Sequence, residues 1–140
     1  MTTRPSPPNG LRHLALKVKN LEECERFYVD VIGMRVLRRA NENLVYLTLG
    51  NDNLSLGRAR DGGPDASAGT MDHFGFIVDS REELQAWFEF MKDAGVDLLD
   101  EPHDHSDGAR SFHCYDPAGN VVQPLYHPAV SGQRFSGGGE

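Results

Sequence analysis

The feature that most constrains this chain is an internal repeat. Arg12-His13-Leu14-Ala15-Leu16-Lys17-Val18 is matched further on by Asp72-His73-Phe74-Gly75-Phe76-Ile77-Val78. Both segments alternate as a strand does, with side chains pointing to opposite faces at period two. Leu14, Leu16 and Val18 share one face, as do Phe74, Phe76 and Val78. His13 and Ala15, and likewise His73 and Gly75, share the other. Two strands that each open on a histidine mark two copies of one supersecondary unit.

The segment after each strand repeats as well. Asn20 and Glu23 have capping-box spacing ahead of an apolar stripe of Leu21, Cys24, Phe27, Tyr28 and Val31, with Gly33 as a helix stop. Ser80 and Glu83 repeat the cap before Leu84, Trp87, Phe88 and Met91, and Gly95 repeats the stop. Helical spacing makes the aromatic residues of these stripes core rather than a ligand box. Three short strands are expected after each helix, near 35–39, 44–49 and 53–58, then near 96–99, 110–115 and 121–126. The turn residues Gly50-Asn51-Asp52 and Asp116-Pro117-Ala118-Gly119-Asn120 separate them.

The fold class is therefore α+β. Two βαβββ modules are expected to form a curved mixed sheet around a cavity, with helices on the outer face. A chain of 140 residues suits one domain with a real core. Residues 1–10 and 129–140, rich in Pro and Gly, read as flexible tails. The domain spans 11–128: module one at 11–60, a linker at 61–70, module two at 71–128.

The net charge of −7 argues against nucleic acid or an anionic membrane as partner, since both need basic patches. No apolar run approaches the ~20 residues that span a bilayer. Met1 to Gly10 has no apolar stretch of the signal-peptide kind. Cys24 and Cys114 form no CxxC motif and read as small buried hydrophobes, which suits a reducing cytoplasm.

If each helix covers the Leu/Phe face, His13 and His73 point to the opposite, concave face. Ala15 and Gly75 beside them are small and leave room for a ligand. Either histidine alone reads as a satisfied core residue. The symmetric pair suggests a metal, because neutral imidazole is the commonest protein ligand for one.

The βαβββ repeat, the histidine on the first strand of each module and the Asp-Pro-x-Gly-Asn turn before the last strand together resemble the vicinal oxygen chelate superfamily. That group includes glyoxalase I, extradiol ring-cleaving dioxygenases, fosfomycin-resistance thiol transferases and bleomycin-binding proteins. The resemblance covers about residues 10–128. It implies a divalent metal (Fe, Mn, Ni or Zn) held by His13, His73 and a third ligand three residues after Asn120. That position is Gln123, where the family usually has Glu. The amide oxygen is a metal donor, but it brings no charge, so the ion is held more weakly. Ser55 matches the fourth family position. A poor ligand there implies three protein ligands, Ser55 facing substrate and open positions on the metal.

The resemblance also grades the chemistries. Thiol transferases of the fosfomycin type carry Thr two residues after the first ligand histidine, and this chain has Ala15. Ser55 leaves a glyoxalase-type site without its second acid–base ligand. The extradiol pattern matches from His105 through Phe112 and Asp116-Pro117-Ala118-Gly119 to position 123, with His113 in place of Tyr and Gln123 in place of Glu.

The expected function is a divalent-metal-dependent enzyme acting on a small oxygen-rich molecule chelated by the metal. His105, His113 or Tyr115 would serve as acid, base or hydrogen-bond donor, and Arg110 would hold an anionic substrate group. The segment 102–110 otherwise reads as a solvated, histidine-rich loop, and His127 as structural. The competing reading is a metal-free protein that binds a drug or metabolite. By resemblance, a homodimer is expected, with a cavity that takes ligands from both chains.

Overall fold

A computed structural model describes Arg4, Pro7 and residues 10–60 and 71–133. The segment read as a linker, most of the N-terminal tail and residues 134–140 lie outside the described residues.

In module one, β1 (His13–Val18) runs into α1 (Leu21–Arg26), which continues as a π-helical segment, Phe27–Ile32. Gly33 ends that segment at φ 97°, a left-handed conformation that glycine adopts without a Cβ penalty. β2 (Arg35–Asn41), β3 (Leu44–Thr48) and β4 (Asn53–Arg58) follow. They form one sheet in the order β1-β4-β3-β2, with β1 parallel to β4 and the other pairs antiparallel.

Module two repeats the plan with β5 (Phe74–Ile77) and α2 (Arg81–Asp93). β6 (His103–Asp104), β7 (Arg110–Ser111), β8 (Cys114–Tyr115) and β9 (Val121–Tyr126) complete it. Again the first strand lies parallel to the last, β5 beside β9. The mixed sheets are those expected, but they are two separate sheets that do not close around one cavity.

Three local expectations are corrected. Residues 96–99 form no strand. Only Leu98 bridges to Cys114, while the Leu99 and Tyr115 N–H groups donate to the His113 and Asp97 carbonyls. The edge strand is instead His103–Asp104, inside the segment read as a loop. It pairs His103 with Ser111 and Asp104 with Arg110. The expected strand at 110–115 is broken in two. The Asp100 carboxylate accepts the His113 backbone N–H at 2.5 Å, replacing a ladder partner by a side chain.

Asn20 also departs from its expected role. It makes no cap bond. Its amide donates to the Pro117 carbonyl of module two at 2.8 Å. Ser80 does cap α2, accepting from the Glu83 N–H at 3.1 Å, and Glu83 accepts from the Asp79 N–H at 3.0 Å. At the other end of the domain, the start of the expected C-terminal tail is tied down: Ser131 donates its hydroxyl to the Val78 carbonyl at 2.7 Å.

The two modules share one core. Leu16, Val18, Leu54 and Leu56 of module one and Phe112, Cys114 and Val122 of module two are buried in it with residues of both helices. Tyr28 stacks on Phe74 of β5, with ring centroids 6.3 Å apart. Each histidine-bearing face is thereby turned away from the core.

Candidate functional site

β1 presents His13, Ala15 and Lys17 to solvent while Leu16 and Val18 are buried, the alternation expected of the strand. His73 stands immediately before β5, in phase with Gly75 and Ile77. His13 and His73 line one cavity of about 360 Å³, with Asn53, Met34, Phe74 and Phe76 in its wall. One imidazole from each module thus meets the same space.

Gln123 pairs with Gly75 across the parallel β5–β9 ladder, which places it one strand over and two residues along from His73. The close approach explains Gly75. A Cβ there would lie 2.5 Å from the Gln123 carbonyl oxygen, so its smallness is required by the strands themselves. Ser55 stands opposite Ala15 on β4, on the same face as His13.

The Gln123 amide nitrogen donates to Ser111 Oγ at 3.0 Å, and Ser111 Oγ also lies 2.7 Å from His105 Nε2. Ser111 is fully buried, and its hydroxyl proton needs an acceptor. The amide nitrogen is a donor, so the hydroxyl donates to His105 Nε2. His105 therefore supports Gln123 through Ser111, and its Nε2 is occupied. The Gln123 side-chain oxygen takes no part in this chain of bonds.

His113 lies nearer to the cavity. Its ring meets that of His73 edge-on at 5.4 Å, and its Nδ1 is 2.8 Å from Asp100 Oδ2. His73 Nδ1 is likewise 2.6 Å from Asp72 Oδ2. A carboxylate at Nδ1 holds the proton there and leaves the Nε2 lone pair outward. Sequence reasoning misses both carboxylates. Adjacency to His73 is a signal for Asp72. Nothing in the sequence pattern links Asp100 to His113.

Two other candidates sit elsewhere. Tyr115 lines a separate groove beside the π-helical segment, with Glu23, Arg26, Asp30 and Asp97. The Arg110 guanidinium is paired with Asp104 at 3.1 Å, and Arg81 joins the same carboxylate at 2.8 Å. Those two arginines, Arg110 foremost, hold the Asp104 carboxyl below its usual range. The two cysteines are free and buried. Burial, reinforced by Asp116, pushes both thiols up to about 12, so neither is a nucleophile near neutral pH.

Comparison with known proteins agrees with this architecture. The family model of the Glyoxalase/Bleomycin resistance protein/Dioxygenase superfamily matches residues 10–123. The metallothiol transferase FosB of Staphylococcus epidermidis is 25% identical over 115 residues, 81% of this chain and 79% of that protein. The uncharacterized protein PA2024 of Pseudomonas aeruginosa is 32% identical over 124 residues, 83% of this chain and 87% of that one. Among solved structures, a lactoylglutathione lyase from Agrobacterium tumefaciens superposes with a TM-score of 0.72 at 26% identity. That match covers 86% of this chain and 96% of that one.

Proposed function

The chain belongs to the glyoxalase/bleomycin resistance protein/dioxygenase superfamily, and from that membership we propose that it is a divalent-metal-dependent enzyme acting on a small, oxygen-rich organic molecule. The observation that carries this reading is the shared cavity of His13 and His73, one from each module. The donor types of His13, His73 and Gln123, which pairs with the cavity-lining Gly75, fit a metal. Two imidazoles and the Gln123 carbonyl oxygen are donors for Fe, Mn, Ni or Zn, and the set leaves positions for a substrate. When bound, the ion supplies Lewis-acid polarisation of the substrate's oxygens. The names of two relatives, a metallothiol transferase and a lactoylglutathione lyase, support the enzyme class.

The chain's own groups do the rest. His113, held by Asp100, presents an imidazole beside His73. Phe74, Phe76 and Met34 in the wall exclude water from an organic substrate. Ser55 faces substrate from module one. We take the active form to be a homodimer, in keeping with the half-exposed Val36 and Leu37 on the edge strand β2.

A second reading, a metal-free binder of a drug or metabolite, draws on the neutral Gln123 and on the cavity's aromatic wall. Calorimetric titration of tag-free protein with Mn²⁺, Fe²⁺, Ni²⁺ and Zn²⁺ separates the two. The enzyme reading expects one ion per chain and weaker binding in both His13→Ala and His73→Ala, by about 10-fold or more. Uptake below about one-tenth equivalent of every metal would leave only the binder.

A further inference from the structure

Beyond His13 and Gln123, the face of module two carries a row of imidazoles. The His73 and His113 ring centroids are 5.4 Å apart, and those of His113 and His103 are 6.3 Å apart. His105 lies 4.7 Å beyond His103. The folding of β6 against β7 builds the row, because His103 pairs with Ser111 and His113 follows two residues on.

Three of these rings have the same wiring. Each has its Nδ1 against an oxygen acceptor: Asp72 Oδ2 at 2.6 Å for His73, Asp100 Oδ2 at 2.8 Å for His113, and the Glu101 carbonyl at 3.0 Å for His103. This fixes the proton on Nδ1 and leaves Nε2 as a lone-pair donor. It is the arrangement that metal-ligating histidines adopt, with the other ring nitrogen bound to a carboxylate or carbonyl. His105 is wired the other way, with its Nε2 taken by Ser111.

The spacing decides between a metal site and a chance grouping. Two imidazoles bound to one ion at about 2.0–2.1 Å have ring centroids roughly 4.5–5.5 Å apart. His73 and His113 already meet this. His103 does not: it lies beyond His113, 6.3 Å from it, on β6, three strands from β5 in the order β5-β9-β7-β6. Among the described residues no three His, Cys, Asp or Glu donors converge, so the pair is completed by the Gln123 amide oxygen of the proposed site, on β9 between β5 and β7.

The geometry points to His113 as a further metal ligand, joining His73 through its Nε2 atom. It supplies the donor strength that Gln123 lacks, and an imidazole-rich set favours Ni²⁺, Zn²⁺ or Co²⁺ over harder ions. The inference rests on the metal-enzyme reading for the presence of the ion. It does not need His13.

The test is Ni²⁺ titration of tag-free wild type and of the His13→Ala, His73→Ala, His103→Ala, His113→Ala and His127→Ala variants. The visible spectrum of each Co²⁺ form is recorded in parallel. His103, which lies beyond His113, and His127, whose Nε2 faces Asp107 at 3.3 Å, are the controls. His113→Ala should weaken Ni²⁺ by about 10-fold or more and change the Co²⁺ ligand-field bands, while His103→Ala and His127→Ala change neither. Far-UV circular dichroism checks folding, and a Gln variant replaces any Ala variant that fails it. An affinity within about twofold of wild type in His113→Ala would overturn the proposal. If His13→Ala and His73→Ala then still lose the ion, the enzyme reading stands alone. If instead His13→Ala keeps the ion and His113→Ala loses it, the module-two ligands stand and His13 is no ligand. A wild type that binds no metal overturns both.

Discussion

Tyr28 donates its hydroxyl hydrogen to the Asp116 carboxylate at 2.7 Å, across 88 residues of chain and from one module to the other. Both groups are buried, and Asp116 is saturated. Its Oδ1 accepts the Ala118 and Asn120 N–H groups, and its Oδ2 accepts the Asn120 amide as well as Tyr28. Burial and the neighbouring Asp116 charge hold the Tyr28 phenol well above its usual range, so it remains a donor across the working pH. Tyr28→Phe should therefore cost about 1.5–3 kcal/mol, the worth of a hydrogen bond to a charged group. Asp116→Ala leaves several buried donors unpaired and should cost more. Urea unfolding of both variants checks the order.

This contact shows what the sequence can and cannot reveal. Tyr28 is legible as a core residue from helical spacing, and Asp116 as a turn residue from Asp-Pro-x-Gly-Asn. Their pairing is not, because a periodic pattern records which face a residue takes and not its partner on another element. Asn20 differs for the same reason: a cap motif is a local pattern, and a distant carbonyl takes the side chain. Strands with clean alternation are legible, β4 to the residue. The stretch 96–115 is not, since Asp100 interrupts its ladder from a position that no period encodes. His13 and His73 are legible because the repeat gives each a counterpart. The row formed by His103 and His113 needs the hairpin.

Gly75 and Gln123 give a second prediction. Gly75→Ala places a Cβ against the Gln123 carbonyl, and the β5–β9 pair must part to admit it. Overpacking of this kind costs about 1–3 kcal/mol. The same displacement moves His73 relative to Gln123, so metal affinity should fall together with thermal stability. Thermal melts and Ni²⁺ titration of the variant measure both. An unchanged melt would mean that the strands yield without strain.

The thiols supply a pH dependence. The folded values of Cys24 and Cys114 are raised by burial from 9.0 to about 12. Below pH 9 both folded and unfolded chains keep the protons, and stability is unaffected. Above it the unfolded chain releases them first, so stability falls as pH rises from 9 toward 12. The native protein should resist a thiol reagent at about pH 8 and react at both cysteines in denaturant. Rapid modification of the native form would contradict the burial argument.

Ser111 joins His105 to Gln123 from a fully buried position. Ser111→Ala strands one partner on each side and should cost about 1–3 kcal/mol. Its sharper signature is in binding. Gln123 loses the bond that orients its amide, so metal affinity should fall while stoichiometry stays the same. Titration calorimetry separates the two quantities.

Asp100 offers the most discriminating variant, because it carries two loads. One carboxylate oxygen takes the His113 backbone N–H, and the other takes His113 Nδ1. Asp100→Asn keeps the shape but presents an amide to at least one of these donors, which reverses a hydrogen bond. If His113 only fills space, the variant should lose stability and leave metal affinity alone. If His113 is a ligand held by Asp100, affinity should also fall by about 10-fold, the usual consequence of losing the group behind a metal-bound histidine. The Co²⁺ spectrum of His113→Ala should then be unaffected by adding Asp100→Asn, because the carboxylate acts on the metal only through that ring. Additive losses in the double variant would instead place Asp100 at the ion directly.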